Sequence, residues 1–345
     1  MPTITLKEVA STAGVSQATV SRVLNNHPTV NAELRERVQE AIRKLGYHPN
    51  QTARRLRAKT SNVIGLIISD IQNPYFISII RGIEDTAYAQ QMSIILCNSD
   101  EDAGKQEMYL RVMQSEHVAG LIYVPTPDPT GMVIHTLLET GIPIILLDRV
   151  LDEIELDIVK VDNVQGAYDA VAHLLELGYR RIGTIMSVPE LTTGKERYEG
   201  YCKALKAFGV GVDTSLVKIA DSRSEGGYRM ANELLSLPQR PDAIFVGNNL
   251  MTLGTLRALH EANVDIPGEI ALVGFDDMPW SGDLRPPLTV ISQPTYELGR
   301  EAVQLLQRRI TQPDAPHRTV TLQTQLIIRE SCGSKVRRKK DNEKR

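Results

Sequence analysis

TLKEVASTAGVSQATVSRVLN, residues 5–25, reads as two short helices joined by a tight turn. Thr5 and Glu8 stand at N-cap and N3, the spacing of a capping box, so the first helix begins near Leu6. Val9, Ala10 and Ala13 give it one apolar face, and Gly14 supplies the turn. Ser16 caps a second helix whose Val20, Val23 and Leu24 turn back inward. Gln17, Thr19, Ser21, Arg22 and Asn25 are left outside. Hydroxyls, amides and a guanidinium on one helix face are the chemistry a helix needs to lie in the major groove of DNA. A helical hairpin with a merely solvated face would show the same pattern, and the next residues decide between the two.

The segment His27-Pro28-Thr29-Val30 breaks the second helix, and Asn31 caps a third with Leu34, Val38, Ile42 and Leu45 as its buried stripe before Gly46 ends it. Residues 1–48 thus form a three-helix head. The run QTARRLRAK, Gln51 to Lys59, follows within a hinge segment at 49–60. It holds one large apolar side chain, Leu56, amid Arg54, Arg55, Arg57 and Lys59. A linker offers that leucine no core. Either the segment is a solvated basic linker, or Leu56 is a wedge for the minor groove while the arginines meet phosphate. At about nine residues it is too short to hold a helix alone, so its order depends on DNA or on a second copy.

The charge supports a polyanion partner for the head only. Residues 1–60 hold 10 Lys/Arg against 4 Asp/Glu, residues 61–334 hold 22 against 36, and the tail from Lys335 holds 7 against 2. A net −3 therefore conceals +6, −14 and +5 in turn. The apolar runs are too short to cross a membrane and the N-terminus has no secretory pattern, so a cytoplasmic protein without membrane association is expected. Cys97, Cys202 and Cys332 are far apart and lack ligand spacing. They are expected to be reduced and structural, with no metal or cofactor.

From Asn62 the texture changes to short Val/Ile-rich runs separated by helical periodicity. VIGLIIS, MSIILCN, AGLIYV, PIILLD, IVKVD, RIGTIM, AIFVGN and IALVGF are such runs. They predict an α/β core, residues 61–331, of two doubly wound parallel-sheet lobes, followed by a basic disordered tail at 332–345. Ligands in such folds lie beyond the carboxyl ends of strands. Polar residues gather there: Asp70 and Asn73, Asp148 and Arg149, Asp162 and Asn163, Asn248 and Asn249, Asp276 and Asp277. Each alone is more often a turn or helix cap; their repetition is what points to a ligand cleft.

These residues carry a resemblance. The opening stretch, then GYHPNQTARRLR, SDIQNPYF, LVGFDD and PPLTVISQP, resemble the lactose-repressor (LacI/GalR) family of bacterial transcription regulators from Thr5 to about Ser331. The core pattern is also that of periplasmic sugar-binding proteins. The resemblance implies a homodimer on double-stranded operator DNA and a small-molecule effector, a sugar, between the lobes. One lobe would take residues 61–162 with 292–320, the other 163–291 with the final strand, with three crossings between them. It implies that Gln17, Ala18 and Arg22 read bases, and that Thr5, Ser16, Thr19, Ser21 and Asn25 hold phosphate. Asn50, Ala53, Arg54 and Leu56 would form the minor-groove hinge, with Leu56 intercalating. For the effector it implies Asn73, Tyr75, Asp148, Asp162, Thr193, Arg197, Asn248 and Asp276, with Trp280 offering an aromatic face. Carboxylates and amides suit adjacent hydroxyls, and Arg197 would clamp a pair of them.

Two positions depart from the family pattern: Asn249 stands where an aspartate is common, and Leu191 where purine-responsive members carry arginine. The C-terminus, KVRRKKDNEKR, lacks the leucine heptads that tetramerise some members. Sequence keeps open a phosphorylated protein or a nucleobase as co-effector, and a solute-binding protein as the rival class. An enzyme is disfavoured. Gly194-Lys195 has the look of a phosphate loop, but Pro189 stands where its first glycine belongs and Glu196 where it needs Ser/Thr.

Overall fold

The computed structural model describes residues 4–24, 27, 30–47, 61–128, 132–151 and 154–334. The chain separates into two compact units, Met1–Ser61 and Asn62–Arg345. Asn25, the hinge positions Asn50, Ala53, Arg54 and Leu56, and the tail from Lys335 lie outside the described residues. Among the described residues, no helix is long and apolar enough to cross a membrane.

The head unit contains α1 (Leu6–Ala13), α2 (Gln17–Leu24) and α3 (Ala32–Leu45). The capping box is present in full: Glu8 N donates to Thr5 Oγ1 at 3.4 Å, and Thr5 N to Glu8 Oε2 at 2.6 Å. Gly14 has φ 62°, the left-handed region that a side chain enters at a cost, and it ends α1. Ser16 Oγ accepts from Thr19 N at 3.1 Å and starts α2, and Asn31 Oδ1 accepts from Leu34 N at 2.9 Å to start α3. Val9, Ala10, Ala13, Val20, Val23 and Val38 are buried together. Leu34, Ile42 and Leu45, expected in that core, are only half-buried and pack around it. The Arg37 guanidinium reaches across from α3 to the last carbonyls of α1, Ala13 O at 2.8 Å, satisfying acceptors that a helix end leaves open.

The second unit is two lobes. In the first, β1 (Val63–Ile68), β2 (Ser93–Asn98), β3 (Gly120–Tyr123), β4 (Ile144–Leu147), β5 (Asp157–Val161) and β11 (Thr319–Leu322) form a sheet ordered β11-β5-β4-β3-β1-β2. All its pairs are parallel. Its helices are α4 (Pro74–Ala89), α5 (Ala103–Ser115), α6 (Met132–Thr140) and α11 (Thr295–Thr311). In the second lobe, β6 (Ile182–Ser187), β7 (Val217–Ala220), β8 (Ala243–Val246), β9 (Ala271–Phe275), β10 (Thr289–Ser292) and β12 (Gln325–Ile327) are ordered β12-β10-β9-β8-β6-β7. Helices α7 (Asn163–Glu176), α8 (Thr192–Ala207), α9 (Ser224–Leu235) and α10 (Asn249–Glu261) pack on it. Here β12 runs antiparallel to β10, so this sheet is parallel except at one edge.

The chain crosses between lobes three times, after β5, after β10 and after β11. Ser292 therefore belongs to the second lobe, and the first lobe runs on to Leu322, two small corrections to the expected bounds. Helix pairs come to backbone contact through glycine. A Cβ on Gly254 of α10 would lie 1.9 Å from Ser224 O, and one on Gly227 of α9 would lie 2.3 Å from Met251 O. Gly82 and Gly299 do the same between α4 and α11.

Cys332 belongs to the second lobe and not to a tail: it is fully buried, with Sγ 3.3 Å from His173 Nε2. Burial pushes its thiol up, but hydrogen bonds from His173, Thr289 and Ser334 outweigh this and bring it down to about 7. An acid lowered by folding adds stability above its unfolded value, about 8.5, and that contribution fades as pH falls through about 7. The stability of the native chain minus that of Cys332→Ser is thus expected to grow by about 1–2 kcal/mol from pH 6 to pH 9. Denaturant melts at both pH values check this; a flat difference would show that folding does not lower the Cys332 thiol.

Candidate functional site

On the head, helix α2 leaves Gln17, Ala18 and Arg22 exposed, while Thr19 and Ser21 are half-buried. Ala18 and Arg22 are one turn apart and so share a face. Ser16 and Thr19 hydroxyls lie 2.9 Å apart at the start of the helix, where backbone N–H groups also point outward. Thr5 Oγ1 is committed to Glu8 Oε2 at 2.8 Å, although the residue remains exposed.

In the second unit the strand ends of both lobes converge on one cleft. Of the expected effector residues it is lined by Asn73, Tyr75, Asp148, Thr193, Arg197, Asn248 and Asp276. Asp148 follows β4 and Asp276 follows β9, one from each lobe. Both are nearly buried, and both take positive φ, 68° and 79°. Strained backbone of this kind concentrates at functional sites. Neither acid opens a helix, so each carboxylate is free to turn inward.

A chain of hydrogen bonds joins the two acids across the lobes. The Tyr75 hydroxyl donates to Asp148 Oδ1 at 2.7 Å and approaches Gln293 Oε1 at 3.3 Å, and Gln293 Nε2 donates to Asp276 Oδ1 at 2.5 Å. Burial, then the charge of Asp148, holds the Tyr75 phenol well above its ordinary range, so it stays a donor. Burial likewise raises Asp276, and Arg197, Gln293 and the Asn249 amide pull it back in part.

The two buried guanidiniums are already engaged. Arg149 forks onto Glu101 at 2.6 and 2.7 Å and donates to Pro125 O at 2.9 Å, leaving its Nε without a hydrogen-bond partner. Glu101 is lowered on balance, the Arg149 fork overcoming burial. Arg197 donates to Asn163 Oδ1 at 2.8 Å and Gly247 O at 2.6 Å, with its guanidinium 3.7 Å from the Phe275 ring centre. Stacking and two fixed bonds aim its remaining donors. The space these walls leave is about 50 Å³, room for a few waters.

Two expected residues are not among those lining the cleft. Asp162 caps α7, its Oδ1 accepting from Gln165 N at 2.9 Å. Trp280 lies instead on a neighbouring groove with Ile77, Arg81 and Met278. Conversely Glu101, Ser187, Ser222, Arg223 and Gln293 line the cleft without having been singled out. Glu101 follows β2, Ser187 ends β6, Ser222 and Arg223 follow β7, and Gln293 follows β10. The strand-end rule could have reached the first two, whose strands show as apolar runs, but not the other three.

Two family models match the chain. Residues 5–50 match "Bacterial regulatory proteins, lacI family" and residues 171–332 a "Periplasmic binding protein-like domain". The chain is similar to the HTH-type transcriptional regulator RegA of Clostridium saccharobutylicum, 32% identical over 94% of this chain and 98% of the relative. It is 34% identical to the HTH-type transcriptional repressor PurR of Pectobacterium carotovorum, over 95% and 96%. Among solved structures it resembles a regulator CelR–cellobiose complex, with TM-score 0.74, 32% identity and 95% and 99% coverage. It also resembles a lac repressor dimer bound to operator and the anti-inducer ONPF, with TM-score 0.86, 26% identity and 96% and 99% coverage.

Proposed function

The chain belongs to the lacI family of bacterial regulatory proteins, DNA-binding transcriptional regulators with a ligand-binding core, and we propose that it is a repressor controlled by a sugar. It acts as a homodimer on operator DNA, and a sugar between the lobes sets its operator affinity. The observation that carries the sugar is the cross-lobe pair of buried acids, Asp148 and Asp276, lining one cleft with Arg197, whose guanidinium keeps donors beyond those given to Asn163 and Gly247. Acids that accept from hydroxyls and a guanidinium that donates to them recognise a polyol with few further parts. Leu191, buried in the cleft wall, offers no donor to a purine there. The bound sugar of the CelR complex is consistent with this class.

The cleft is narrow as it stands, so ligand entry is coupled to parting of the lobes. The sugar then acts only through its different affinity for the two core states, and on operator binding by linkage. The test is thermal melting of the full chain against sugars, sugar phosphates, polyols and nucleobases. A ligand at a hundred times its Kd adds about 2.7 kcal/mol, about 5–10 °C here. One stereospecific sugar is expected to shift the melt, whereas a nucleobase hit or a flat panel would refute the reading.

On the head, Gln17 accounts for one base by a bidentate amide, Arg22 for a guanine, and Ala18 for at most a thymine methyl. Exchanging Gln17 and Ala18 is expected to change the preferred base at one or two positions per half-site. Selection from randomised duplexes reads this out, and an unaltered preference would remove these residues from base reading.

A further inference from the structure

Asn249, the position where relatives of the resembled family commonly carry aspartate, does not line the cleft; it ties together two residues that do, one from each lobe. Its backbone N donates to Asp276 Oδ2 at 3.1 Å, and its side-chain Nδ2 donates across the lobes to Asn73 Oδ1 at 2.7 Å, with Met278 Sδ at 3.2 Å. Both amides have their orientation fixed by backbone. Asn73 Oδ1 also accepts from Tyr75 N at 3.0 Å as the cap of α4, so its oxygen faces the second lobe. Asn249 Oδ1 accepts from Leu250 N at 2.7 Å, so its nitrogen faces the first. Only a donor at position 249 satisfies this arrangement, and Asn249 is nearly buried. An aspartate there would set an acceptor against Asn73 Oδ1 and a second charge beside the buried Asp276.

We propose that Asn249 is a positioning residue and cross-lobe latch: it holds Asn73 and Asp276 in register and sets the resting separation of the lobes without a ligand. The proposal rests on reading this cleft as the effector site, but it concerns the unliganded chain. The sugar reading can therefore fail while the latch stands, and the reverse. The cap of α10 is Asn248, which accepts from Met251 N at 2.7 Å, so substitution at 249 leaves the helix start intact.

The test is double electron–electron resonance on the full-length chain, with spin labels on cysteines at the exposed Glu116 and Lys206, one in each lobe. Cys97 and Cys202 are replaced by serine, and unlabelled chain is added in excess so that only pairs within one chain contribute. Asn249→Ala, which removes the bond, is expected to lower the closed-to-open ratio about tenfold, and Asn249→Asp, which adds repulsion, about a hundredfold. The graded order, native chain, alanine, aspartate, is the signature of a latch. A residue that merely stabilised α10 would lower the melting temperature without moving the distance. The same distance distribution in all three chains, or alanine opening the lobes more than aspartate, would overturn the proposal.

Discussion

Arg197→Ala is expected to weaken binding of the effector sugar by about a hundredfold or more. Charge-assisted hydrogen bonds contribute about 1.5–3 kcal/mol each, and a fork contributes two. Arg197 is also pre-aimed: Asn163, Gly247 and the Phe275 ring hold it before any ligand arrives, so little freedom is lost on binding. Arg197→Lys keeps the charge but loses the fork and the flat stacking face, and is expected to recover less than a tenth of the affinity. Titration calorimetry with the sugar that shifts the melt decides the matter. Affinity within threefold of the native chain would show that the guanidinium serves the fold alone.

Gly254→Ala is expected to have the largest effect on stability of any single methyl in the core, lowering the melting temperature by about 4–8 °C. The new Cβ would begin 1.9 Å from Ser224 O, a backbone atom of α9. Helices α9 and α10 would have to separate along their contact, and overpacking against backbone costs about 3 kcal/mol or more. The gain in helix propensity, about 1 kcal/mol, offsets only part. Gly211→Ala is the control, because nothing lies within 4 Å of a Cβ there, and no loss is expected. Equal melting temperatures for both variants would mean that the helix pair yields more easily than its backbone contact implies.

The features legible in sequence were those set by neighbours along the chain. The Thr5–Glu8 box, the Gly14 turn and the Asn31 cap are local hydrogen-bond patterns, and the structure contains all three. The eight apolar runs announced eight strands, and six of these are buried at every position, as a strand covered on both faces is apolar throughout. The four others escaped for physical reasons. β7, β11 and β12 are edge strands with at most one buried residue each, and β10 is Thr-Val-Ile-Ser, polar at both ends. Missing β10 also hid Gln293, the link between Asp276 and Tyr75. Asp162 and Asp276 look alike in sequence, each an acid after a strand. Asp162 stands directly before a helix and spends its oxygen on that helix, whereas Asp276 has no helix to cap. Trp280 was placed by rarity and aromaticity, which say nothing about direction.

The three crossings also order events during synthesis. Helix α11 supplies Leu298, Ala302, Val303, Leu305 and Leu306 to the core of the first lobe, beside Ile64, Ile79 and Ile145, and β11 completes that lobe's sheet beside β5. At about 5–20 residues per second, the strands ending at Val161 wait about 8–30 s for Leu322 to be made. The head has folded long before. During that interval a nascent chain trails a finished DNA-reading unit and an apolar sheet face still uncovered, so yield from the ribosome depends on what shields that face more than on the stability of the finished core.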